Sequence, residues 1–335
     1  MFYLCASASR ILLRHLNSGN YTTLCYSFLR YMNQENVTLS VENVSKRFGD
    51  FTAVEGLSFE VKAGRVFGFL GPNGAGKTTT IRMIVGITAP DAGTIELFGH
   101  KISHDLQNRI GYLPEERGLY KKMKIVDQLR YFAELKGVSP AEADKRIDKW
   151  LDRMNLSEWK KKKTTDLSKG MQQKIQFIST VLHDPDLLIL DEPFSGLDPI
   201  NVEFMMNVIA EFKMRKKTII FSTHLMETAE RLCDDILLIN KSKKILSGSL
   251  RSVKSSYGEN LIALRATGAE QVLADKTLVA NVVSHSDEQE IHLAKGTDAQ
   301  LLLKQLIESG AVITKFEQVE PSLNDIFIEK VKSEK

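Results

Sequence analysis

The chain has 335 residues, 43% of them hydrophobic and 26% charged, which is the composition of an ordinary globular protein. This length allows one large domain with an appendage, or two modest domains. The net charge is +3, and Arg10, Arg14 and Arg30 account for all of it, because no acidic residue precedes Glu35. The remainder of the chain is therefore neutral, which argues against a nucleic-acid partner.

Residues 1–36 differ in composition from the rest of the chain and are predicted to be an N-terminal extension outside the fold. The segment holds Cys5 and Cys25, and its apolar start is too short to span a membrane. It is either a targeting presequence, since such segments carry arginine and serine but few acids, or an over-extended reading frame that truly starts at Met32. We favour the second interpretation. With Cys233 alone in the body of the chain, we expect a reducing cytosol and no disulfide framework.

Residues 65–86 (RVFGFLGPNGAGKTTTIRMIVG) predict a buried strand, a glycine-rich loop and a helix. The loop fits the pattern Gly-x-x-x-x-Gly-Lys-Thr, in which glycines let the backbone turn its amides towards a phosphate. The helix N-terminus adds partial positive charge, Lys77 would reach the β- and γ-phosphates, and the Thr78 hydroxyl would bind magnesium. A chance glycine-rich turn is the alternative, but the strand–loop–helix context favours a nucleoside triphosphate site. The residues predicted to hold the nucleotide are Gly71, Pro72, Asn73, Gly74, Ala75, Gly76, Lys77, Thr78 and Thr79.

Two amphipathic helices are predicted next, in KIVDQLRYFAEL (residues 124–135) and AEADKRIDKWLDRM (residues 141–154). The lysine run at residues 160–163 could contact phosphate or lipid, although a solvated face explains it more simply. No extended heptad repeat is present, which argues against a long coiled coil.

The stretch DLLILDEPFSGLD (residues 186–198) predicts a second buried strand, since its four apolar residues are too few for a helix. If it runs parallel to the first strand, both strands end at the same crevice. Asp191 would then hold magnesium through its water shell, and Glu192 would be the general base for an attacking water. A solvated acidic loop is the weaker alternative. A further buried strand, TIIFSTH, is predicted to end at His224.

The C-terminal third has a different pattern. Serine and glycine at residues 247–258 predict a linker, followed by strands in NLIALRA, LVANVVS and EIHLA. Helices are expected after Thr297 and after Pro321, and Thr297 with Gln300 matches a capping box. No catalytic constellation is found in this part, and His285 and His292 lack the cysteines of a metal site.

Taken together, the motifs resemble those of ABC transporter ATP-binding subunits, in particular subunits of bacterial sodium, drug and antibiotic exporters. The resemblance covers residues 39–250 closely and the tail more loosely. It implies an α/β fold: a P-loop NTPase ABC ATPase domain at residues 37–250, with a RecA-like core, an antiparallel β subdomain and a helical insertion. A small α+β accessory domain would follow at residues 251–335.

The same resemblance implies roles for residues outside the phosphate loop. Phe48 would stack on adenine. Glu115 stands where the family usually has a glutamine that binds magnesium, and it would add negative charge beside the phosphates unless a neighbour such as Arg117 paired with it.

LSKGM (residues 167–171) corresponds to the family signature, in which Ser168 and Gly170 bind the γ-phosphate held by the opposite subunit. Lys169 and Met171 depart from the signature. Ser168 is also a good helix N-cap. His224 would be the switch histidine that contacts the γ-phosphate.

The implied function is ATP hydrolysis, with ATP and Mg²⁺, in a homodimer or a pair of ATPase subunits that drives a separate polytopic membrane permease for export. The protein would lie in the cytoplasm, peripheral to the inner face of the cell membrane. The alternative is a soluble ABC ATPase that acts on ribosomes or DNA, although ribosome-acting members resemble two such domains in one chain. A GTPase is disfavoured because NKSK (residues 240–243) lacks the carboxylate that recognises guanine.

Overall fold

The computed structural model describes residues 37–116, 118–258, 261–284 and 288–333. The predicted N-terminal extension at residues 1–36, Arg117 and His285 lie outside this part of the chain. Within it, no helix is both long enough and apolar enough to cross a membrane.

The described strands are, in chain order, β1 Val37–Phe48, β2 Phe51–Lys62, β3 Val66–Leu70, β4 Ala92–Leu97, β5 His100–Lys101, β6 Ile110–Leu113, β7 Leu187–Asp191, β8 Thr218–Thr223, β9 Asp235–Asn240, β10 Lys243–Ser249, β11 Leu261–Thr267, β12 Val279–Ser284, β13 Gln289–Leu293 and β14 Val312–Gln318. The α-helices are α1 Lys77–Ile84, α2 His104–Gln107, α3 Ile125–Leu135, α4 Pro140–Arg153, α5 Lys169–Val181, α6 Pro199–Met214, α7 Met226–Leu232, α8 Leu250–Gly258, α9 Glu270–Leu273, α10 Ala299–Glu308 and α11 Leu323–Ser333. Two short 3₁₀ helices, Ser157–Trp159 and Thr164–Asp166, precede α5.

A six-stranded sheet in the order β10-β9-β3-β8-β7-β6 forms the centre of the molecule. All neighbours in it are parallel except β9 and β10, which are antiparallel. Every residue of β3, β7 and β8 is buried, as expected for parallel strands covered on both faces. The loops after these three strands therefore meet at one edge of the sheet.

An antiparallel sheet in the order β2-β1-β4-β5 packs against one side of this centre. Alternate residues of β1 and β2 join α1 and one face of the central sheet in a shared apolar core. Phe59 of β2 stacks on Phe67 of β3, with ring centroids 5.4 Å apart. This packing holds the loop after β3 beneath the antiparallel sheet.

Helices α3 and α4, which confirm the two predicted amphipathic helices, cover the opposite side together with α5 and α6. Trp150 of α4 stacks on Phe212 of α6, with parallel rings 6.1 Å apart. Thr164, in the second 3₁₀ helix, accepts a hydrogen bond from the buried Gln128 of α3 at 2.6 Å. These contacts fix the start of α5 relative to the central sheet.

The C-terminal strands form a third sheet in the order β12-β13-β11-β14. This sheet and the helices α9 and α10 share one apolar core. The three predicted strands are present, whereas β14 was not predicted. The predicted linker is wrong: residues 247–258 complete β10 and form α8, and Val253 of α8 is buried in the main core. The predicted capping box is also wrong, because Asp298 caps α10 by accepting from the Gln300 amide.

Candidate active site

The phosphate loop, residues 71–76, joins β3 to α1 and turns through glycines. Gly71, Gly74 and Gly76 have φ of +152°, +78° and +108°. A Cβ on Gly71 would lie 2.3 Å from the Ile239 carbonyl oxygen, and one on Gly76 would lie 2.4 Å from that of Ala53. Neither position leaves room for a side chain, so the glycines let the loop pack tightly against its neighbours.

Lys77, the first residue of α1, is buried and folds back over this loop. Its Nζ donates to the carbonyl oxygens of Gly71 at 2.8 Å and Pro72 at 3.2 Å. The same Nζ lies 3.5 Å from Oε1 of Glu192. A buried cation thus stands beside a glycine-rich loop at the start of a helix, an arrangement suited to a phosphate.

Asp191 and Glu192 lie at the end of β7, and Asp191 is directly opposite Ser222 of β8 in the parallel register. Ser222 Oγ donates to Asp191 Oδ1 at 2.5 Å and accepts from the Glu192 amide at 3.0 Å. One hydroxyl therefore holds both carboxylate residues in place.

Glu192 is 8% exposed and lies between two basic groups. His224 Nδ1 is 3.1 Å from Oε1 of Glu192, and Lys77 Nζ approaches the same oxygen. The backbone of Glu192 has φ of +48°, a strained value for a side-chain-bearing residue and one that is typical of functional sites. Because the His224 ring is half-exposed, it also faces the solvent side of the site.

The residues predicted to bind metal fit a magnesium ion. Asp191 is fully buried, yet its Oδ2 has no hydrogen-bond partner. Burial raises the pKa of this carboxyl, and the hydrogen bond from Ser222 opposes the shift. Thr78 Oγ1 lies 3.5 Å from Glu115 Oε2. The site offers only a few oxygen donors from the protein. This suits Mg²⁺, which is usually held by one or two protein groups together with phosphate and water.

A cleft of about 320 Å³ opens above the loop. It is lined by the predicted residues Asn73, Gly74, Gly76, Lys77, Thr78, Thr79, Glu115 and Glu192, together with Phe51 and Ala53. Gly71, Pro72 and Ala75 form the loop beneath it without lining the cleft. Most of the predicted phosphate-binding and catalytic residues are thus brought together.

Three predicted residues lie elsewhere. Phe48 is exposed on β1 and does not line the cleft; its ring carries Lys46 Nζ at 5.6 Å from the centroid. Ser168 is exposed at the N-terminus of α5, where its Oγ accepts from the Met171 amide at 3.3 Å, which confirms the predicted cap. Gly170 lies in the first turn of α5, and neither Ser168 nor Gly170 lines the cleft.

Sequence reasoning missed Phe51 and Ser222. Phe51 pairs with Phe48 at the end of the β1–β2 hairpin, so the two rings lie on the same face of the sheet, and only Phe51 lines the cleft. Ser222 stands two residues before His224 in a strand already predicted. Its role depends on the pairing of β8 with β7, which the spacing of residues in the sequence does not show.

Comparison with known proteins agrees with this geometry. A family described as "ABC transporter" matches residues 54–195, and a second, described as "ATP-binding protein DrrA1-3-like, C-terminal domain", matches residues 248–331. The chain is 45% identical over 293 residues to YhaQ of Bacillus subtilis (strain 168), described as an uncharacterized ABC transporter ATP-binding protein. This alignment spans 88% of the chain and 98% of the relative. The chain belongs to the ABC transporter ATP-binding proteins.

Two further likenesses extend this result. The ABC ATPase is 38% identical over 239 residues to the Nod factor export ATP-binding protein I of Ralstonia nicotianae, covering 68% of the chain and 74% of the relative. A solved ATP-binding subunit of an ABC transporter superposes with a TM-score of 0.62 at 31% identity, covering 66% of this chain and 93% of the other. The predicted family, fold class and ATPase activity are therefore confirmed.

Proposed function

We propose that two copies of this ABC ATPase close head to tail around two ATP molecules and so drive a separate permease that exports a substrate. One observation carries the proposal: Ser168 and the start of α5 are exposed and lie outside the cleft that gathers the phosphate loop and Glu192. An exposed helix N-terminus can bind a phosphate of the nucleotide that a second subunit holds. Each site would then need both copies.

Within one copy, the loop amides and Lys77 hold the phosphates. Glu192 accepts the proton of the water that attacks the γ-phosphate, and its buried position next to Lys77 keeps the carboxylate oriented. His224 contacts the γ-phosphate and fixes Glu192 through its Nδ1. From the second copy, Ser168 and Gly170 close over the same phosphate.

For the adenine base, we propose Phe48 or Phe51 as the stacking surface. Both rings are exposed at the end of the β1–β2 hairpin. The position of Phe51 on the cleft favours Phe51 over Phe48.

We assign magnesium binding to Thr78 and Asp191, supported by the unpartnered Oδ2 of Asp191. The ion, when bound, neutralises charge on the phosphate oxygens. Glu115 Oε2 lies 3.5 Å from Thr78 Oγ1, and this carboxylate would hold a metal-bound water.

The export role rests on relatives. One is named for Nod factor export, and the family matched at residues 248–331 is described as the C-terminal domain of an ATP-binding protein. We accordingly propose an ATP-binding domain at residues 37–250, an accessory domain at 251–335, and a location on the cytoplasmic face of the membrane through the permease. The third sheet with α9 and α10 has an apolar core of its own, which supports an accessory unit, whereas Val253 of α8 and Leu323 and Ile326 of α11 pack in the main core.

The test of the shared site is the mass of the Glu192→Gln protein measured by light scattering with ATP. We expect twice the mass of the chain with ATP and the single mass without it. Adding Ser168→Ala should restore the single mass, because the second copy loses a phosphate contact. Ser139→Ala, which removes another exposed serine at the start of a helix, should leave the dimer intact.

A dimer that persists unchanged with Ser168→Ala, or a monomer that holds ATP in the Glu192→Gln protein, would contradict the shared site.

A further inference from the structure

Helix α7 begins two residues after His224 and ties that residue to the rest of the molecule. Its inner face, Met226, Ala229 and Leu232, is buried in the main core. The turn before it is short, with the Leu225 amide donating to Thr223 Oγ1 at 3.0 Å. Because so little chain separates them, a shift of α7 would move His224.

Both ends of the C-terminal segment, residues 250–333, converge on this helix. Leu323 and Ile326, in the first turn of α11, are 3% and 1% exposed and belong to the same core as the inner face of α7. Val253 of α8 joins them. The intervening sheet, β11 to β14, packs around its own core. The C-terminal segment thus starts and finishes against the helix that carries on from His224.

Glu230 of α7 is the polar centre of this contact. Its Oε1 accepts a hydrogen bond from the amide of Leu323, the first residue of α11. Its Oε2 lies 3.5 Å from Lys254 Nζ of α8, and both side chains are mostly buried, with 24% and 18% exposed. Lys254 also faces Glu320 at 3.8 Å. A carboxylate at a helix N-terminus is favourable because it meets unpaired amides and the positive end of the dipole.

The carboxylate therefore joins three elements at once. It accepts from the first amide of α11, pairs with Lys254 of α8 and is itself part of α7, so it links both ends of the C-terminal segment to the helix behind His224. Glu230 does not line the nucleotide cleft, and its described polar partners all belong to the C-terminal segment.

We infer that Glu230 is a positioning residue for ATP hydrolysis, which sets His224 by locking α7 to the C-terminal segment. The inference rests on the role proposed above for His224. A partner that binds or displaces the C-terminal segment would then change the rate of hydrolysis through α7. Affinity for ATP should change little, because Lys77 and the phosphate loop lie on other elements.

The test is a double-mutant cycle between Glu230 and His224, measured as steady-state ATP hydrolysis with radiolabelled ATP. Glu230→Ala should lower kcat about tenfold, a typical coupling between sites, and change KM for ATP less than about threefold. Glu230→Gln keeps an acceptor for the Leu323 amide, so its kcat should fall less than that of Glu230→Ala. In the His224→Ala background, neither Glu230 substitution should lower kcat further, because residues that act through one group are not additive.

Glu320→Ala is the matched control, since it also removes an acidic partner of Lys254 but does not touch α7, and its kcat should equal that of the wild type. If Glu230→Ala fails to fold, Glu230→Gln carries the same cycle. A Glu230 variant with wild-type kcat, or with a loss that recurs in full in the His224→Ala background, would overturn the inference and leave the proposed function standing. If His224→Ala itself hydrolyses ATP normally, the proposed role of His224 fails, and the inference with it.

Discussion

The Glu192→Gln enzyme should hydrolyse ATP about 10²–10⁴ times more slowly than the wild type, the range lost when a general base is removed. The amide has nearly the same shape as the carboxylate but cannot accept the proton of the attacking water. Lys77 keeps its bonds to the Gly71 and Pro72 carbonyls, so the phosphate loop stays formed. ATP binding should therefore be retained while kcat falls.

Glu115→Gln provides the matched comparison, because Glu115 lines the same cleft but is exposed, and its side chain faces Thr78 at 3.5 Å. We expect its kcat to stay within about threefold of the wild type, since a neutral amide can also face a metal-bound water. Rates are measured with excess Mg²⁺-ATP, and binding with a fluorescent ATP analogue. Equal losses from the two substitutions would refute the assignment of Glu192 as the base.

Gly76→Ala should abolish ATP binding and destabilise the protein. The new Cβ would lie 2.4 Å from the Ala53 carbonyl oxygen, a backbone atom that cannot move without shifting β2. The φ of +108° adds a strain of about 1–3 kcal/mol for a residue with a side chain. The loop must therefore open to accept the methyl group, and its amides no longer point at the phosphates.

Gly74→Ala separates the two causes. Its φ of +78° is also unfavourable, but a Cβ there meets no atom within 4 Å. We expect Gly74→Ala to lower Tm by only a few degrees and to keep measurable ATP binding, whereas Gly76→Ala loses both. Thermal melting and the fluorescent-analogue titration give the result. If the two variants behaved alike, the clash of the new Cβ with the Ala53 carbonyl oxygen would not be the cause of the lost ATP binding.

The features predicted correctly from the sequence are those that depend on short, continuous segments. The phosphate loop, the cap by Ser168 and the strand that ends at Asp191 depend on residues close in sequence, so local spacing is enough to predict them. The edge of the sheet at which they meet could also be predicted, because the C-terminal ends of parallel strands lie at the same edge.

The features that were missed depend on pairing between distant segments. Ser222 matters because the register of β8 places it opposite Asp191, and no local pattern encodes that register. The linker predicted at residues 247–258 is wrong. Its serines are typical of loops, but burial of Val253 in the main core stabilises a helix there. Phe48 and Phe51 are partners across the hairpin and lie on the same face of the sheet, and sequence spacing does not show that only Phe51 lines the cleft.

The central claim, that this ABC ATPase powers a separate permease, is tested most directly by recovery of its partner. Tagged Glu192→Gln protein is incubated with ATP and magnesium in membranes solubilised in mild detergent, then purified, with nucleotide-free wild type as the control. We predict that one polytopic membrane protein is recovered in about equal amount, and that ATP changes its yield. Recovery of ribosomes or DNA without any such membrane protein would contradict the claim and favour the soluble alternative.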